Sequence, residues 1–257
     1  MLKKILLELE KRNSLNDLMF EGINIDDEKL IITYDNNTKY LDTKNYVINN
    51  INGIKTFSLF KRKKYNSEKF SDSNPLIYAL KGLKGWKINK KDKEQIYNDA
   101  KLIIDKINLP KIDSIIKVPS SNVLVRELQN LIIDKIKPKY VLEDCLVKRT
   151  IDEIIDEMDF STFTKQDSRK WNVAIKKMRK DGIYFQSKYM DKELLKKMEI
   201  ILYKESINYF YEIFDKNILI IDDVLSSGKS ISDCSKIIKD SYSPKNIYQL
   251  TLFSKVN

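Results

Sequence analysis

An aliphatic run that ends in two acids, followed by a serine-rich loop, is the most constraining feature of this sequence. It reads NILIIDDVLSSGKSISDCSKII over residues 217–238. An uninterrupted aliphatic run is typical of a strand that is buried on both faces of a parallel sheet. Ligands of such sheets bind beyond the carboxyl ends of the strands, beside a topological switch point. We therefore expect Asp222 and Asp223 at that edge, followed by a turn that opens a helix.

Helix and strand patterns alternate from residue 76 to residue 253, which predicts an α/β domain with a parallel sheet covered on both faces. The predicted helices are residues 91–107, 122–136, 192–214 and 229–240, and the predicted strands are 112–118, 139–147, 217–222 and 246–253. The residues before position 76 differ, with a helical pattern at the start, strand patterns at 29–35 and 54–60, and a basic loop at 61–75. We accordingly predict an N-terminal α+β extension or hood module, residues 1–75, and an α/β domain, residues 76–257.

Charge and composition limit the chemistry that is open to this chain. Lys and Arg total 47 against 37 acids, a formal charge of +10 with no histidine. The absence of histidine excludes a Ser/His/Asp triad and a His-ligated zinc site. The basic excess suits phosphate esters, pyrophosphate or nucleic acid, although lysines on solvated helix faces produce the same total.

The cysteines and the apolar runs indicate the compartment. Cys145 and Cys234 are 89 positions apart and form no metal-ligand spacing, so we expect buried free thiols in a reducing cytosol. No apolar run reaches membrane-spanning length, and the charged N-terminal pattern lacks a cleavage site. We expect a cytoplasmic protein with no membrane partner.

The two acids and the loop after them suit a sugar phosphate. Successive side chains of a strand point to opposite faces, so the two acids need not share one proton and both can stay ionised. Each could accept hydrogen bonds from vicinal hydroxyls or hold a metal through water. Backbone N–H groups converge at the helix start after Ser226 and Ser227, and Gly228 lets the backbone approach a phosphate. A ribose 5-phosphate would satisfy both halves of the motif.

Two other phosphate-binding motifs are absent. The nucleoside-triphosphate loop G-x-x-x-x-G-K-[ST] requires a glycine five positions before Gly228, where this chain has Asp223. No G-x-G-x-x-G dinucleotide fingerprint occurs in the sequence.

The segment ILIIDDVLSSGKSI, residues 218–231, resembles the signature of type I phosphoribosyltransferases, with Lys229 where the family usually has a small residue. The resemblance implies the fold of that family, a doubly wound parallel sheet with a small hood. It also implies that Asp222 and Asp223 bind the ribose hydroxyls of phosphoribosyl pyrophosphate, act in catalysis and hold Mg²⁺ indirectly. The loop that binds the 5-phosphate would consist of Val224, Leu225, Ser226, Ser227, Gly228, Lys229 and Ser230.

A weaker resemblance covers other parts of residues 76–253. IIKVPSSNVLVRELQNLI, residues 115–132, is similar to the pyrophosphate loop of the family and its flanking strand and helix, although an ordinary strand-to-helix turn remains the alternative. The loop residues would be Lys117, Pro119, Ser120 and Ser121. LKGLKGW, residues 80–86, is similar to the ComF-like branch, but the paired-cysteine zinc module of that branch is absent here.

Lys148 and Arg149 follow the strand of Cys145, where family members have a mobile loop that closes over the substrate. The resemblance therefore implies a catalytic role for both. The polar span that continues to about residue 190 is either part of this cover or a solvated connector. For Trp171, Tyr184 and Phe185 we expect buried packing in preference to stacking on a base.

The resemblance implies a Mg²⁺-dependent transferase that moves phosphoribose to a nitrogenous base and releases pyrophosphate. Dimers are common in the family, so a homodimer is the implied assembly. A second hypothesis is a non-catalytic sensor of phosphoribosyl pyrophosphate or a nucleotide, which binds nucleic acid or a partner protein through its basic surface. A third is a nucleotide-metabolising component of a mobile-element or phage-conflict system. The sequence does not identify the acceptor base.

Overall fold

A computed structural model describes residues 23–26, 29–34, 41–63, 74–120, 122–203 and 209–255. The N-terminal helical pattern, most of the basic loop at 61–75 and Ser121 lie outside these residues. None of the helices in the described ranges combines the length and the apolar composition that crossing a membrane requires.

The described elements alternate along the chain as follows. They are β1 (Ile23–Asp26), β2 (Ile31–Tyr34), β3 (Leu41–Asp42), β4 (Val47–Ile51), β5 (Ile54–Arg62), α1 (Asn74–Leu80), β6 (Lys87–Ile88), α2 (Lys90–Lys106), β7 (Ser114–Lys117), α3 (Val123–Ile136), β8 (Tyr140–Leu142), β9 (Leu146–Lys148), α4 (Ile151–Glu157), α5 (Lys165–Asp181), α6 (Lys192–Leu195), β10 (Ile201–Tyr203), α7 (Phe210–Ile213), β11 (Asn217–Val224), α8 (Lys229–Tyr242) and β12 (Asn246–Phe253). Short 3₁₀ turns occupy Phe160–Thr162 and Ser187–Tyr189.

Seven strands form the main sheet, in the order β3-β5-β12-β11-β7-β8, with β4 also paired to β5. The five strands from β5 to β8 in this order are parallel, and β3 and β4 run antiparallel to β5. Hydrophobic clusters cover both faces of the sheet. In β11, Leu219 and Ile221 belong to the cluster that contains α2 and α3, whereas Ile218 and Ile220 belong to the cluster that contains α5 and α8. The chain is therefore a mixed α/β protein with a mostly parallel sheet flanked by helices.

The direction of winding changes between β7 and β11. From β7 the chain continues outward to β8, and from β11 it continues in the opposite direction to β12. The chain therefore leaves β7 and β11 toward opposite edges of the sheet, so the carboxyl ends of these two strands flank a crevice. This crevice is the topological switch point of the sheet.

Two sequence predictions of secondary structure are wrong. The predicted strand at 139–147 divides into β8 and β9, with a left-handed residue at Asp144 (φ 58°) between them. The predicted helix at 192–214 contains the two short helices α6 and α7 and strand β10. The β-branched residues before and within β10 are fully buried, and Ile201 pairs with Lys148 of β9 in an antiparallel ribbon. Pairing with a distant strand has overridden the helical periodicity.

Strands from both sides of residue 75 share the main sheet. β5 pairs in parallel with β12, for example Phe57 with Leu250. The division of the chain at residue 75 stays a prediction, but residues 41–62 contribute three strands to the sheet that carries β11. A separate sheet of three strands, β1-β2-β6, lies outside it.

Candidate functional site at the carboxyl ends of β7 and β11

The predicted acids lie at the switch point. Ile221 of β11 is level with Lys117 of β7, and the amide of Val118 donates to the carbonyl of Ile221 at 2.8 Å. Asp222 follows directly and is level with Thr251 of β12. The strand end therefore delivers the Asp222–Asp223 pair to the crevice beside the loop that follows β7.

Asp222 has a partly exposed side chain in a poorly solvated position. Its Oδ1 accepts a hydrogen bond from the backbone amide of Asp223 at 2.8 Å. Desolvation, and then the negative charge of Asp223, raise the pKa of Asp222 to about 7. Desolvation therefore makes the ionised form of Asp222 less favourable than it is for a carboxyl in water.

Asp223 is buried and ion-paired. Its residue is 7 % exposed, and its Oδ2 lies 2.6 Å from Nζ of Lys81. Lys81 stands in the turn after α1, and its backbone amide donates to the carbonyl of Ile77. The motif at 217–238 did not identify Lys81. The available signal was its position in LKGLKGW, the glycine-containing turn that carried the weaker resemblance.

Two further lysines from separate loops lie at this edge of the sheet. Lys148, the last residue of β9, is near enough to Asp222 for its positive charge to lower the pKa of that carboxyl. Lys117, the last residue of β7, lies 3.9 Å from a carboxylate oxygen of Glu143 and 3.9 Å from one of Asp144. The crevice thus combines two acids with cations that different elements contribute.

The loop after β11 has the expected turn and helix start. Val224 is level with Phe253 of β12, and the buried residue Leu225 donates its amide to the Phe253 carbonyl at 2.9 Å. Ser226 and Ser227 are exposed, and Gly228 has φ +77° and precedes the first residue of α8. A left-handed glycine is needed here because other residues adopt this φ at a cost.

The β4–β5 hairpin covers one side of this loop. A Cβ placed on Gly228 would lie 3.4 Å from both Cδ1 and Cγ2 of Ile51. Next to it, Nδ2 of Asn52 donates to Oγ of Ser232 at 2.6 Å. Gly228 is consequently buried, whereas the two serines before it face solvent.

Lys229, the departure from the family pattern, folds back onto its own helix. Its Nζ lies 2.6 Å from Oδ1 of Asp233, and Oδ2 of Asp233 accepts from the amide of Ile200 at 2.9 Å. Desolvation raises the pKa of Asp233 in spite of these two partners. Asp233 therefore connects the first turns of α8 to the residue that precedes β10. Ser230, the last residue of the predicted loop, is partly exposed in the same turn.

The predicted pyrophosphate loop follows β7 at the switch point. Pro119 is partly exposed and Ser120 is exposed. The Ser120 hydroxyl accepts from the amide of Asn122 at 3.1 Å, and the Asn122 side chain caps α3 by accepting from the amide of Leu124 at 2.9 Å. A strand-to-helix turn with a side-chain cap is therefore present, and its role toward a ligand stays a prediction.

Arg149 is held inside the fold and not beside the acids. Its side chain is 5 % exposed and lies 2.6 Å from Oε1 of Glu157, and its Nη2 donates to the carbonyl of Glu153 at 2.8 Å. Its Nε has no hydrogen-bond partner among the described residues. These contacts join the end of β9 to α4. Lys148 therefore lies near Asp222, whereas the side chain of Arg149 is engaged by α4.

The aromatic residues after β9 are placed differently from one another. Trp171 is buried, with edge contacts to Phe160 and Phe163 at centroid distances of 5.5 and 5.8 Å. Phe185 is fully buried, whereas Tyr184 is 53 % exposed. Buried packing is confirmed for Trp171 and Phe185 and is wrong for Tyr184.

The donor set fits a hydrated Mg²⁺ better than a metal held by protein ligands alone. No cluster of three or more Asp, Glu, Cys or His side chains occurs in the part of the chain that the structure describes. Mg²⁺ commonly takes one or two carboxylates and completes its shell with water and substrate phosphates. Asp222 is the less buried residue of the pair, and Asp223 already contacts Lys81.

Asp222 and Asp223 line neither of two cavities found among the described residues. One of about 930 Å³ extends along α8, and one of about 530 Å³ lies beside Arg149 and Glu157.

Comparison with known proteins gave no match in two searches. No protein-family model matches the chain, and no curated protein matches it.

Proposed function

We propose that this protein is a phosphoribosyltransferase that binds 5-phosphoribosyl 1-pyrophosphate with Mg²⁺ and transfers phosphoribose to a nitrogenous base. One observation carries the proposal. At the switch point of a parallel sheet, a single strand end supplies an accessible carboxylate, Asp222, and then a loop in which a left-handed Gly228 opens helix α8. Carboxylates suit vicinal hydroxyls, and a helix start suits a phosphate. We also propose that the mixed α/β fold is that of the type I phosphoribosyltransferases.

Different residues at the crevice would bind different parts of the donor molecule. Asp222 accepts hydrogen bonds from the ribose hydroxyls when it is ionised, and ligand contacts that favour the charged form lower its pKa. The ion pair with Lys81 holds Asp223 in place behind it. The exposed hydroxyls of Ser226 and Ser227, with backbone amides at the start of α8, receive the 5-phosphate.

The leaving group requires positive charge on the opposite side of the ribose. During transfer the bond between C1 and the pyrophosphate oxygen breaks, pyrophosphate leaves with the electron pair, and the acceptor nitrogen forms the new bond to C1. Lys117 and Lys148, at the ends of β7 and β9, would neutralise the departing charge. Asp222 would hold Mg²⁺ through water, and the ion would supply further charge stabilisation for the pyrophosphate. No general base is assigned.

The test combines donor binding with turnover. Purified protein is mixed with Mg²⁺, labelled donor and a panel of bases, and both donor affinity and base consumption are measured. We expect Asp222→Asn to weaken donor binding by roughly 10- to 100-fold, because a charge-assisted hydrogen bond is lost. Asp134→Asn, which removes an exposed carboxylate of α3, is the matched control. A parent protein that shows neither donor binding nor turnover would refute the proposal.

A second function is favoured by the buried ion pair. Asp223 is engaged by Lys81 and Arg149 is engaged by Glu157, so two residues of the implied catalytic set already have internal partners. A sensor needs only the donor-binding half of the chemistry. Donor binding that depends on Asp222, together with no consumption of any base, would select this alternative over the transferase.

A further inference from the structure

A groove that Asp222 and Asp223 do not line runs along α8. Its volume is about 930 Å³, and it is bounded by the β4–β5 hairpin, by residues 192–199 and by α8 from its start to Asp240. This volume lies within the roughly 300–1,000 Å³ that is usual for small-ligand sites. Since α8 rises about 1.5 Å per residue, the groove follows it for roughly 15 Å or more.

The lining of the groove is strongly basic. Seven lysines and three acids line it, an excess of four positive charges. Two of the three acids are already engaged, Asp233 by Lys229 and Glu199 by Lys236. A concave surface lined by one sign of charge concentrates the field and attracts ligands of opposite charge.

Three of these lysines form no ion pair with a described residue. Lys192, Lys239 and Lys255 are exposed, and none of them makes an ion pair with any residue that the structure describes. They come from three separate parts of the chain: the start of α6, the last turn of α8 and the residues after β12. Because three elements deliver them to one groove, they are not the solvated face of a single helix.

The remaining lining narrows the class of anion. Hydroxyls of Ser227 and Ser232 face the same space, and the described lining contains no arginine and no aromatic side chain. Single-stranded nucleic acids are usually held by aromatic stacking in addition to charge. Lysines and hydroxyls without a stacking platform suit phosphoryl oxygens, which need point charges and donors but no flat surface.

We propose that this groove binds a linear oligophosphate of three or more phosphoryl groups, either inorganic or as the tail of a nucleotide. Asp222 and Asp223 do not line this site, although it borders the loop proposed for the 5-phosphate. The groove meets the loop after β11 only at Ser227, Gly228 and Lys229. The proposal does not depend on phosphoribosyl transfer.

The experiment measures binding of inorganic tripolyphosphate to the full chain by titration calorimetry at low and high salt. We expect Lys192→Gln, Lys239→Gln and Lys255→Gln together to weaken binding by roughly 10- to 100-fold, because three charge-assisted contacts are lost. The control combines Lys101→Gln, Lys176→Gln and Lys177→Gln, which removes three exposed lysines outside the groove. This control should bind as the parent does.

A nucleoside triphosphate and a 20-residue single-stranded oligonucleotide are the further probes. Equal affinity for tripolyphosphate and the nucleoside triphosphate indicates that the phosphate chain alone is recognised, and tighter binding of the triphosphate indicates a nucleotide. Tighter lysine-dependent binding of the oligonucleotide than of either oligophosphate overturns the proposal in favour of nucleic acid.

Four other results bear on the proposal. It fails if the parent does not bind tripolyphosphate at low salt, or if the groove and control variants lose affinity equally. Asp222→Asn should leave tripolyphosphate binding unchanged. If the protein binds tripolyphosphate through these lysines but does not bind phosphoribosyl pyrophosphate, the groove proposal is supported and the proposed transferase function is refuted.

Discussion

Replacing Asp222 by asparagine should stabilise the protein at alkaline pH and remove a pH dependence of stability. The pKa of Asp222 in the folded protein is raised, so the native state binds its proton more tightly than the unfolded chain does. The free energy of unfolding therefore falls as pH rises from the unfolded pKa toward the folded value. The effect is absent below about pH 4, where the carboxyl is protonated in both states, and is complete above about pH 7.

The size of this effect follows from the shift. A rise from 3.8 to about 7 corresponds to an upper limit of about 4 kcal/mol, at about 1.4 kcal/mol per pKa unit. The Asp222 side chain is partly exposed, so solvent reduces this limit and we expect about 2 kcal/mol. At pH 8 the free energy of unfolding of Asp222→Asn should exceed that of the parent by this amount. Near pH 4 the two free energies should be equal.

Urea unfolding between pH 4 and pH 8.5 measures the difference. Trp86 and Trp171 are both 5 % exposed and serve as fluorescence reporters of unfolding. The chain contains no histidine, so few groups compete with Asp222 between pH 6 and pH 8. Asp233, whose pKa is also raised, contributes in the same direction. Asp223→Asn is the matched control. It should lower the free energy of unfolding, because it leaves Lys81 without its ion-pair partner. Parallel stability curves for Asp222→Asn and the parent would refute the reasoning.

Three further predictions concern neighbouring residues. Lys81→Met should lower the free energy of unfolding at pH 8 by about 2–4 kcal/mol, because Asp223 keeps a buried charge without its partner, and adding Asp223→Asn should recover most of the loss in a double-mutant cycle. Gly228→Ala should cost about 1–2 kcal/mol in urea unfolding because φ is +77°, and an unchanged midpoint would contradict the strained turn. Burial raises the pKa of Cys145 to about 12 and also raises that of Cys234, so a thiol reagent should label both only after unfolding, and rapid labelling of the native protein would show that the thiols are accessible.

Local pattern predicted the parts of the fold that short-range forces determine. The predicted helix at 122–136 is observed as α3, Val123–Ile136, and the predicted strand at 246–253 is observed as β12. The aliphatic run before Asp222 is strand β11, which is buried on both faces as expected. These segments succeed because a buried parallel strand and an amphipathic helix each leave a periodic signature in their own residues.

Contacts between distant residues were not predictable in the same way. Ile201 fits a helical period within 192–214, and only its pairing with Lys148 makes it part of a strand. The ion pair between Lys81 and Asp223 likewise joins a turn after α1 to the end of β11. Neither partner carries a local signal that names the other, because the choice is made by the packing of elements far apart in sequence.

The acid pair is more consistent with a binding site than with a purely structural role. A desolvated carboxyl beside a second carboxyl lowers the stability of the fold at neutral pH, and an amide of the same shape at position 222 would avoid that loss. The fold partly offsets the cost with Lys81 and Lys148, which come from separate elements and both lower the pKa of Asp222. The transferase and the sensor share one requirement, a ligand whose hydroxyls or metal ion favour the ionised form of Asp222. Such a ligand should bind more tightly as pH rises through 7, and this pH dependence should disappear in Asp222→Asn.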